Sequence, residues 1–276
     1  MKKALLALSV VASFSAYAKQ PTLLDELSRL FQPPEVKAPS DASTAISQPT
    51  DFRSCSQFFA GGISPVVPNM QQLKPRELCY DAFAVLHSGL AKTPVFVAER
   101  LSRAQLENDK SGKRTDKFFA DARIPRGERA ELDDYKHSGY SRGHMAPAGN
   151  MPTVQAMAQS FSLANMVPQA PENNQKSWNG IEQTTRKYAL RAKGDVYVIS
   201  GPVYDGKPKT IGDNRVWVPT YLYKLVYDAT TGRAWAHWIE NSDDARAGKP
   251  ISYEELVRRT NIEFLPKVEV TGPASE

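Results

Sequence analysis

Near its C-terminal end the chain contains two runs rich in aromatic and β-branched residues, 217–228 and 233–240, separated only by Ala-Thr-Thr-Gly. Apolar side chains alternate along both runs, and a short turn that contains glycine between such runs is typical of a β-hairpin. Strands joined by a turn of this length pair antiparallel. The hairpin therefore commits the fold to an antiparallel sheet, whose core the aromatic side chains are expected to pack.

The same kind of pattern predicts the remaining elements. Apolar runs and helical spacing indicate strands at 95–98 and 196–200 and helices at 154–164, 174–191 and 253–259. Such a mixture is typical of an α+β fold with a largely antiparallel sheet. Residues 51–276 contain no internal repeat and no second change of composition, so we predict one domain there.

The segment SGYSRGHMAP, residues 138–147, carries the first candidates for chemistry. It places Arg142 and His144 two residues apart, with Gly143 between them. Arginine offers phosphate oxygens a permanently charged fork, and histidine exchanges a proton near neutral pH. The pair therefore suits phosphodiester hydrolysis. The alternative is a structural histidine beside a surface cation.

Thirty residues after His144 begins the segment NQKSWNGIEQTTR, whose apolar positions recur at helical spacing. On such a helix Asn174 lies one turn before Trp178, and Glu182 and Arg186 form an i, i+4 pair on a neighbouring stripe. The three polar groups are expected to face one cleft. An amide oxygen is an acceptable ligand for Mg²⁺, which keeps most of its waters. The alternative is an ordinary amphipathic helix with a solvated Glu/Arg pair.

Together these motifs resemble the DNA/RNA non-specific endonucleases, the ββα-metal nuclease family that includes endonuclease G. The resemblance runs from about residue 55 to 266, through TPVFVAERL, SGYSRGHMAP, NMVPQ, the helix from Asn174 and VISGP, in that order. It implies a ββα-metal nuclease fold in which His144 lies on the ββ part and faces that helix. It also implies an Mg²⁺-dependent endonuclease, with Mn²⁺ as the alternative cation, that hydrolyses DNA and RNA with little sequence specificity.

The resemblance implies a role for each polar group of the two motifs. His144 corresponds to the general base, and Asn174 to the metal ligand. Glu182 and Arg186 correspond to residues that support the site. Glu182 is expected to orient a metal-bound water without ligating the metal directly.

Two positions depart from the family pattern. Ser141 stands where the best-known members have aspartate, and its hydroxyl is expected to replace a hydrogen bond. A TRNP-like segment of the family reads AKTP here, so the cation is Lys92. Lysine is a point charge and should hold phosphate more loosely than arginine. Lys92, Arg142 and Arg186 are predicted to bind the substrate, and both arginines also to stabilise charge during catalysis.

Other hydrolase chemistries lack their motifs. The chain has four histidines, but no HExxH and no paired Cys/His spacing, which argues against a zinc centre. The SGK of residues 111–113 lacks the earlier glycine of a phosphate-binding P-loop. A GxSxG serine-hydrolase motif is also absent from the sequence.

The N-terminal residues predict export. Residues 1–18 combine a basic start, an apolar stretch and a small-residue end, which is typical of a secretory signal peptide cleaved after Ala18. Residues 19–50, rich in Pro, Ser, Thr and Ala, indicate an appendage or linker before the domain at 51–276. The product is expected to be periplasmic or secreted. No later window is apolar for 18 residues, so no stable membrane insertion is expected.

Cys55 and Cys79 are the only cysteines. In an oxidising compartment a disulfide between them is expected, and two buried thiols are the alternative. The formal charge of +5 falls to +3 when Lys2 and Lys3 leave with the signal peptide. That charge permits attraction to a polyanion but is too small to bind nucleic acid by itself.

Two other functions remain open at this point: a non-catalytic nucleic-acid-binding protein on the same fold, and an exported nuclease toxin that needs an immunity partner. The four-residue set of His144, Asn174, Glu182 and Arg186 favours catalysis, because binding alone needs cations but neither a base nor a metal amide. The predicted partners are DNA and RNA. A homodimer and a monomer are both compatible with the sequence.

Overall fold

The computed structural model describes residues 51–107 and 116–271, and an antiparallel sheet runs through their centre. The strands are β1 Pro75–Cys79, β2 Phe83–Ser88, β3 Thr93–Leu101, β4 Ser141–His144, β5 Met166–Gln169, β6 Val196–Val203, β7 Lys209–Ile211, β8 Val216–Val218, β9 Tyr221–Asp228, β10 Arg233–Glu240 and β11 Ile251–Ser252. Seven of them form the central sheet in the order β1-β2-β3-β6-β9-β10-β11, and all neighbours are antiparallel. The pairs β4–β5 and β7–β8 form separate two-stranded ribbons.

The helices flank this sheet. They are α1 Arg103–Glu107, α2 Leu132–Tyr135, α3 Val154–Ser160, a π-helical segment Asn173–Trp178, α4 Asn179–Arg191 and α5 Tyr253–Thr260. The α+β fold with a largely antiparallel sheet is thus confirmed. Among the described residues, no helix has the length and apolar character needed to cross a membrane.

The predicted boundaries at residues 18 and 50 lie outside the described residues. The described residues belong to a compact unit, Ser47–Glu276. Within this unit the disulfide Cys55–Cys79 is formed, with Cα atoms 5.8 Å apart. It ties the 3₁₀ turn Phe52–Phe58 to β1.

Apolar side chains cover both faces of the sheet. Successive residues of a strand point to opposite faces, so Val85 of β2 packs in one core cluster with Trp178, while Leu86 packs in the other with Phe59. Every residue of β2 is buried, as expected of a strand covered on both sides. The cluster that contains Trp178 supports the site described below.

The predicted hairpin is confirmed, but the predicted strand 217–228 is wrong at its start. The ladder between β9 and β10 runs from Asp228↔Arg233 to Tyr221↔Glu240. The strand does not extend back through Pro219, because proline has no N–H to donate to the ladder. The Thr220 N–H donates to the Val203 carbonyl at 2.9 Å, and the preceding strand β8 pairs with β7 instead of joining the central sheet.

The predicted helices all form, with shifted ends. The helix expected at 154–164 stops at Ser160, because the chain then turns into the 3₁₀ segment Leu163–Asn165. The C-terminal helix α5 begins after Ser252, whose hydroxyl accepts the Glu255 N–H as an N-cap. The helix expected at 174–191 begins with the π-helical segment, which changes the geometry of the site.

Candidate active site

A cleft of about 1070 Å³ collects most of the predicted site residues. Five of the six candidates line it: Arg142, His144, Asn174, Glu182 and Arg186. Ser141 also lines the cleft beside Arg142. Lys92 is not among the lining residues. It lies between β2 and β3 with φ at 61°.

The β4–β5 ribbon presents the histidine. Its ladder pairs His144 with Met166 and Gly143 with Val167. A Cβ atom at Gly143 would collide with the side chain of Gln169, so the ribbon needs glycine there. The His144 ring packs edge-on against Phe161, with ring centroids 5.0 Å apart. The general-base candidate is thus held by both its backbone and its ring.

Asn165 anchors the loop that follows the histidine. Its Oδ1 accepts the Ala146 N–H at 2.9 Å, and its Nδ2 donates to the carbonyls of Ala146 and Ser160, also at 2.9 Å. Asn165 is fully buried. Asn165 belongs to the NMVPQ segment, and its role could not be predicted from the sequence, because a single asparagine beside a short 3₁₀ turn has no distinguishing pattern.

The π-helical segment turns Asn174 into the cleft. Its neighbour Asn173 is buried, where Nδ2 donates to the Glu240 carbonyl at 2.8 Å and Oδ1 accepts from Gln169 at 2.7 Å. In a regular α-helix, positions eight residues apart differ by about 80° around the axis. The extra residue in a π turn reduces this angle to about 20°. Asn174 and Glu182 therefore share one side of the helix instead of neighbouring stripes.

A buried lysine of the central sheet contacts both the segment that follows His144 and the helical segment that contains Trp178. Lys224 of β9 is 1% exposed, and its Nζ donates to the Met145 carbonyl at 3.3 Å and to Ser200 Oγ at 2.6 Å. The same Nζ lies 4.9 Å from the ring centroid of Trp178. The Trp178 Nε1–H in turn donates to the His144 carbonyl at 3.1 Å. Burial lowers the pKa of Lys224, and the carboxylates of Glu182 and Glu99 oppose that effect.

Sequence reasoning missed Lys224. The signal was present, because a single lysine interrupts the apolar strand YLYKLVYD, whose other residues are mostly buried. A lysine inside such a strand is either exposed on one face or paired in the core. Only the covering of both sheet faces decides between these outcomes.

Glu182 sits in a poorly solvated position. Burial raises its pKa to about 7, and the nearby Glu99 adds to the effect, whereas Lys224 and Arg186 oppose it. Among the described residues, nothing donates a hydrogen bond to its Oε1. A carboxylate with an unsatisfied buried oxygen suits a bound cation or a cation-bound water.

The two arginines have different supports. The Arg142 guanidinium lies 4.1 Å from the ring centroid of Phe118, a cation–π contact. The Arg186 Nε–H donates to Asn150 Oδ1 at 2.8 Å, and its guanidinium lies against Gly149, where a Cβ atom would collide with it. Both cations line the cleft that also contains His144.

The donor set of the cleft fits a hard divalent cation. Among the described residues, no three His, Cys, Asp or Glu side chains group to hold a metal, so a zinc cage is not formed there. Within the same residues, the Asn174 side-chain amide takes no hydrogen bond partner. An amide oxygen and a carboxylate that line the same cleft are oxygen ligands of the kind that hard divalent cations take.

Comparisons with known proteins agree with this geometry. The family model for the DNA/RNA non-specific endonucleases matches residues 65–271. Human nuclease EXOG, mitochondrial, is 40% identical over 159 residues, which cover 54% of this chain and 43% of that protein. Human endonuclease G, mitochondrial, is 36% identical over 182 residues, which cover 60% of this chain and 58% of that protein. The matches thus span about half the length of these relatives.

The fold is shared with a solved structure. A chain in the crystal structure of an EndoG/EndoGI complex superposes with a TM-score of 0.69 and covers 83% of this chain and 98% of its own length. Its sequence identity of 23% is low, so this likeness speaks for the fold alone. The ββα-metal nuclease fold predicted from the sequence is therefore confirmed.

The predicted export is contradicted by the relatives. Nuclease EXOG, endonuclease G and nuclease 1 of Schizosaccharomyces pombe all carry the word mitochondrial in their names. They point to mitochondria rather than to the periplasm or secretion. A basic N-terminal start occurs both in secretory signal peptides and in mitochondrial transit peptides, so this feature of residues 1–18 does not distinguish the two.

The matched region contains all five residues that meet in the cleft, and the family model covers three quarters of the chain's residues. The family match and the fold thus agree. The chain belongs to the DNA/RNA non-specific endonuclease family.

Proposed function

We propose that the chain is a divalent-metal-dependent endonuclease that hydrolyses phosphodiester bonds of DNA and RNA with little sequence specificity. The observation that carries this proposal is the convergence of His144, Asn174 and Glu182 on one cleft with two arginines. A protein that only binds nucleic acid needs the cations but not the base or the amide, so the set favours hydrolysis. We assign this activity to the domain at 51–276.

His144 is proposed as the general base that takes a proton from the attacking water. Its carbonyl is held by Trp178 Nε1–H and its ring by Phe161, which limits the imidazole to a narrow range of positions. Histidine is the side chain that most often acts as a general base. A positioned general base contributes about a hundred- to ten-thousand-fold in rate.

Asn174 is proposed to hold the metal through its amide oxygen. Glu182 is proposed to orient a water molecule bound to the metal. When bound, Mg²⁺ or Mn²⁺ supplies positive charge that stabilises the phosphate oxygens and the departing 3′ oxygen. The unsatisfied Oε1 of Glu182 supports this assignment, because a cation nearby would offset the cost of its burial.

Arg142 and Arg186 are proposed to bind the phosphate and to stabilise the charge that develops on it. Lys92 does not line the cleft, so its proposed contact is with a phosphate farther along the bound nucleic-acid strand. Contacts of this kind grip the backbone and carry no sequence information. Low sequence specificity follows.

The direct test is incubation of the purified chain with circular DNA and with RNA, with and without a chelator. We expect both substrates to be cut in Mg²⁺ and neither in chelator. A circular molecule has no ends, so its linearisation reports endonuclease activity. Binding without cleavage, or cleavage that persists undiminished in chelator, would refute the proposal.

A further inference from the structure

A buried chain of hydrogen bonds ends at Arg186. The Arg186 Nε–H donates to Asn150 Oδ1 at 2.8 Å, and Asn150 Nδ2 donates to Glu99 Oε1 at 3.0 Å. Asn150 is 3% exposed and Glu99 is 1% exposed, and neither lines the cleft. Neither residue has a role in the reaction as described so far.

The chemistry of the three groups fixes the direction of this chain. A guanidinium only donates hydrogen bonds, and an ionised carboxylate only accepts them. The amide between them must therefore turn its oxygen toward Arg186 and its NH₂ toward Glu99. Two identical acceptors or two identical donors in these positions would leave the amide free to flip.

These hydrogen bonds also connect three structural elements around the cleft. Glu99 lies on β3 of the central sheet, Asn150 in the turn Ala148–Asn150 that follows the histidine motif, and Arg186 on α4. The backbone of Asn150 is held as well, because its N–H donates to the Pro147 carbonyl at 2.9 Å. The position of the Arg186 guanidinium is therefore set by hydrogen bonds that lead to the central sheet as well as by its own helix.

We propose that Asn150 and Glu99 are positioning residues, which orient the Arg186 guanidinium for the phosphate. The inference rests on the proposed function, since it assigns Arg186 a substrate contact. Gly149 completes the arrangement, because the guanidinium lies where a side chain at this position would stand.

A double-mutant cycle tests the inference. Steady-state cleavage of DNA is measured for wild type, Asn150→Ala, Arg186→Ala and the double variant. If Asn150 acts through Arg186, Asn150→Ala lowers kcat/KM about tenfold in the wild-type background and less than twofold when Arg186 is already alanine. Glu99→Gln should show the same dependence with a smaller factor, because the glutamine oxygen can still accept from Asn150 Nδ2 but lacks the charge that strengthens this hydrogen bond. It replaces Asn150→Ala in the cycle if that variant does not fold.

Thr185→Val is the matched control. Thr185 is buried on the same helix, next to Arg186, and its hydroxyl donates to the Ile181 carbonyl at 2.9 Å, away from the network. Any activity loss from this variant should be the same factor in both backgrounds. Equal factors for the network variants in both backgrounds, or no loss in wild type, would overturn the inference while leaving the proposed function intact. An inactive wild type would overturn both.

Discussion

Replacing Glu182 by glutamine is expected to stabilise the metal-free protein at alkaline pH, although it removes a proposed site residue. Burial raises the pKa of Glu182 from 4.5 to about 7. Below pH 4.5 the carboxyl is neutral in both the folded and the unfolded chain, so its ionisation costs nothing. As the pH rises from 4.5 to 7, the unfolded chain loses this proton and the folded chain retains it, so the stability falls.

The size of this effect follows from the shift in pKa. One pKa unit corresponds to about 1.4 kcal/mol, so the shift of Glu182 costs on the order of 3 kcal/mol of folding free energy above pH 7. Glutamine has almost the same shape and carries no charge. For a domain of this size, 3 kcal/mol corresponds to about 6–12 °C in Tm.

The assay is thermal unfolding followed by circular dichroism, in chelator, between pH 4 and pH 8.5. The difference in Tm between Glu182→Gln and wild type should be near zero at pH 4 and reach its full value at pH 8. Glu172→Gln is the control, because Glu172 is exposed and paired with Lys176 one turn away, so its loss should change little. Equal or lower stability of Glu182→Gln at pH 8 would show that the carboxylate does not pay a burial cost.

Three further results are expected. His144→Ala should lower cleavage about a hundred- to ten-thousand-fold without rescue by added Mg²⁺, whereas Asn174→Ala should recover partly at high Mg²⁺, and a Mg²⁺ titration of both folded variants distinguishes the two. Breaking the disulfide should lower stability by about 3.5 kcal/mol in the chain-entropy estimate with little change in kcat, which melting and activity of the double cysteine-to-alanine variant would check. Arg142→Ala should weaken activity more than Lys92→Ala, and each variant should flatten the salt dependence because each loses one proposed phosphate contact, so unchanged salt slopes in both variants would contradict those contacts.

The sequence alone determined the features that depend on local pattern. The alternation on both sides of the turn at 229–232 predicted the hairpin, because side-chain direction in a strand repeats every two residues. The RGH motif and the helix that begins near Asn174 were found from residue type and spacing. The cysteine pair was predicted because only two cysteines exist.

Only the tertiary structure decided which strands pair and how the predicted site residues lie relative to one another. β8 and β9 are separate strands on either side of Pro219. β8 pairs with β7, whereas the Thr220 N–H donates to the Val203 carbonyl, and only the folded structure determines which strand lies beside each of them. The π turn that brings Asn174 beside Glu182 depends on Asn173 finding partners in the core. Helical spacing predicted that Asn174 and Glu182 face one cleft, but it does not predict the π turn.

The supporting residues show the same division. Lys224, Asn150 and Glu99 come from distant parts of the chain and acquire their roles only when the sheet, the histidine loop and helix α4 are packed together. Motif reading finds the groups that face the cleft, since their chemistry is recognisable by type. The groups behind them are selected by contact, and contacts between distant residues are a property of the folded chain.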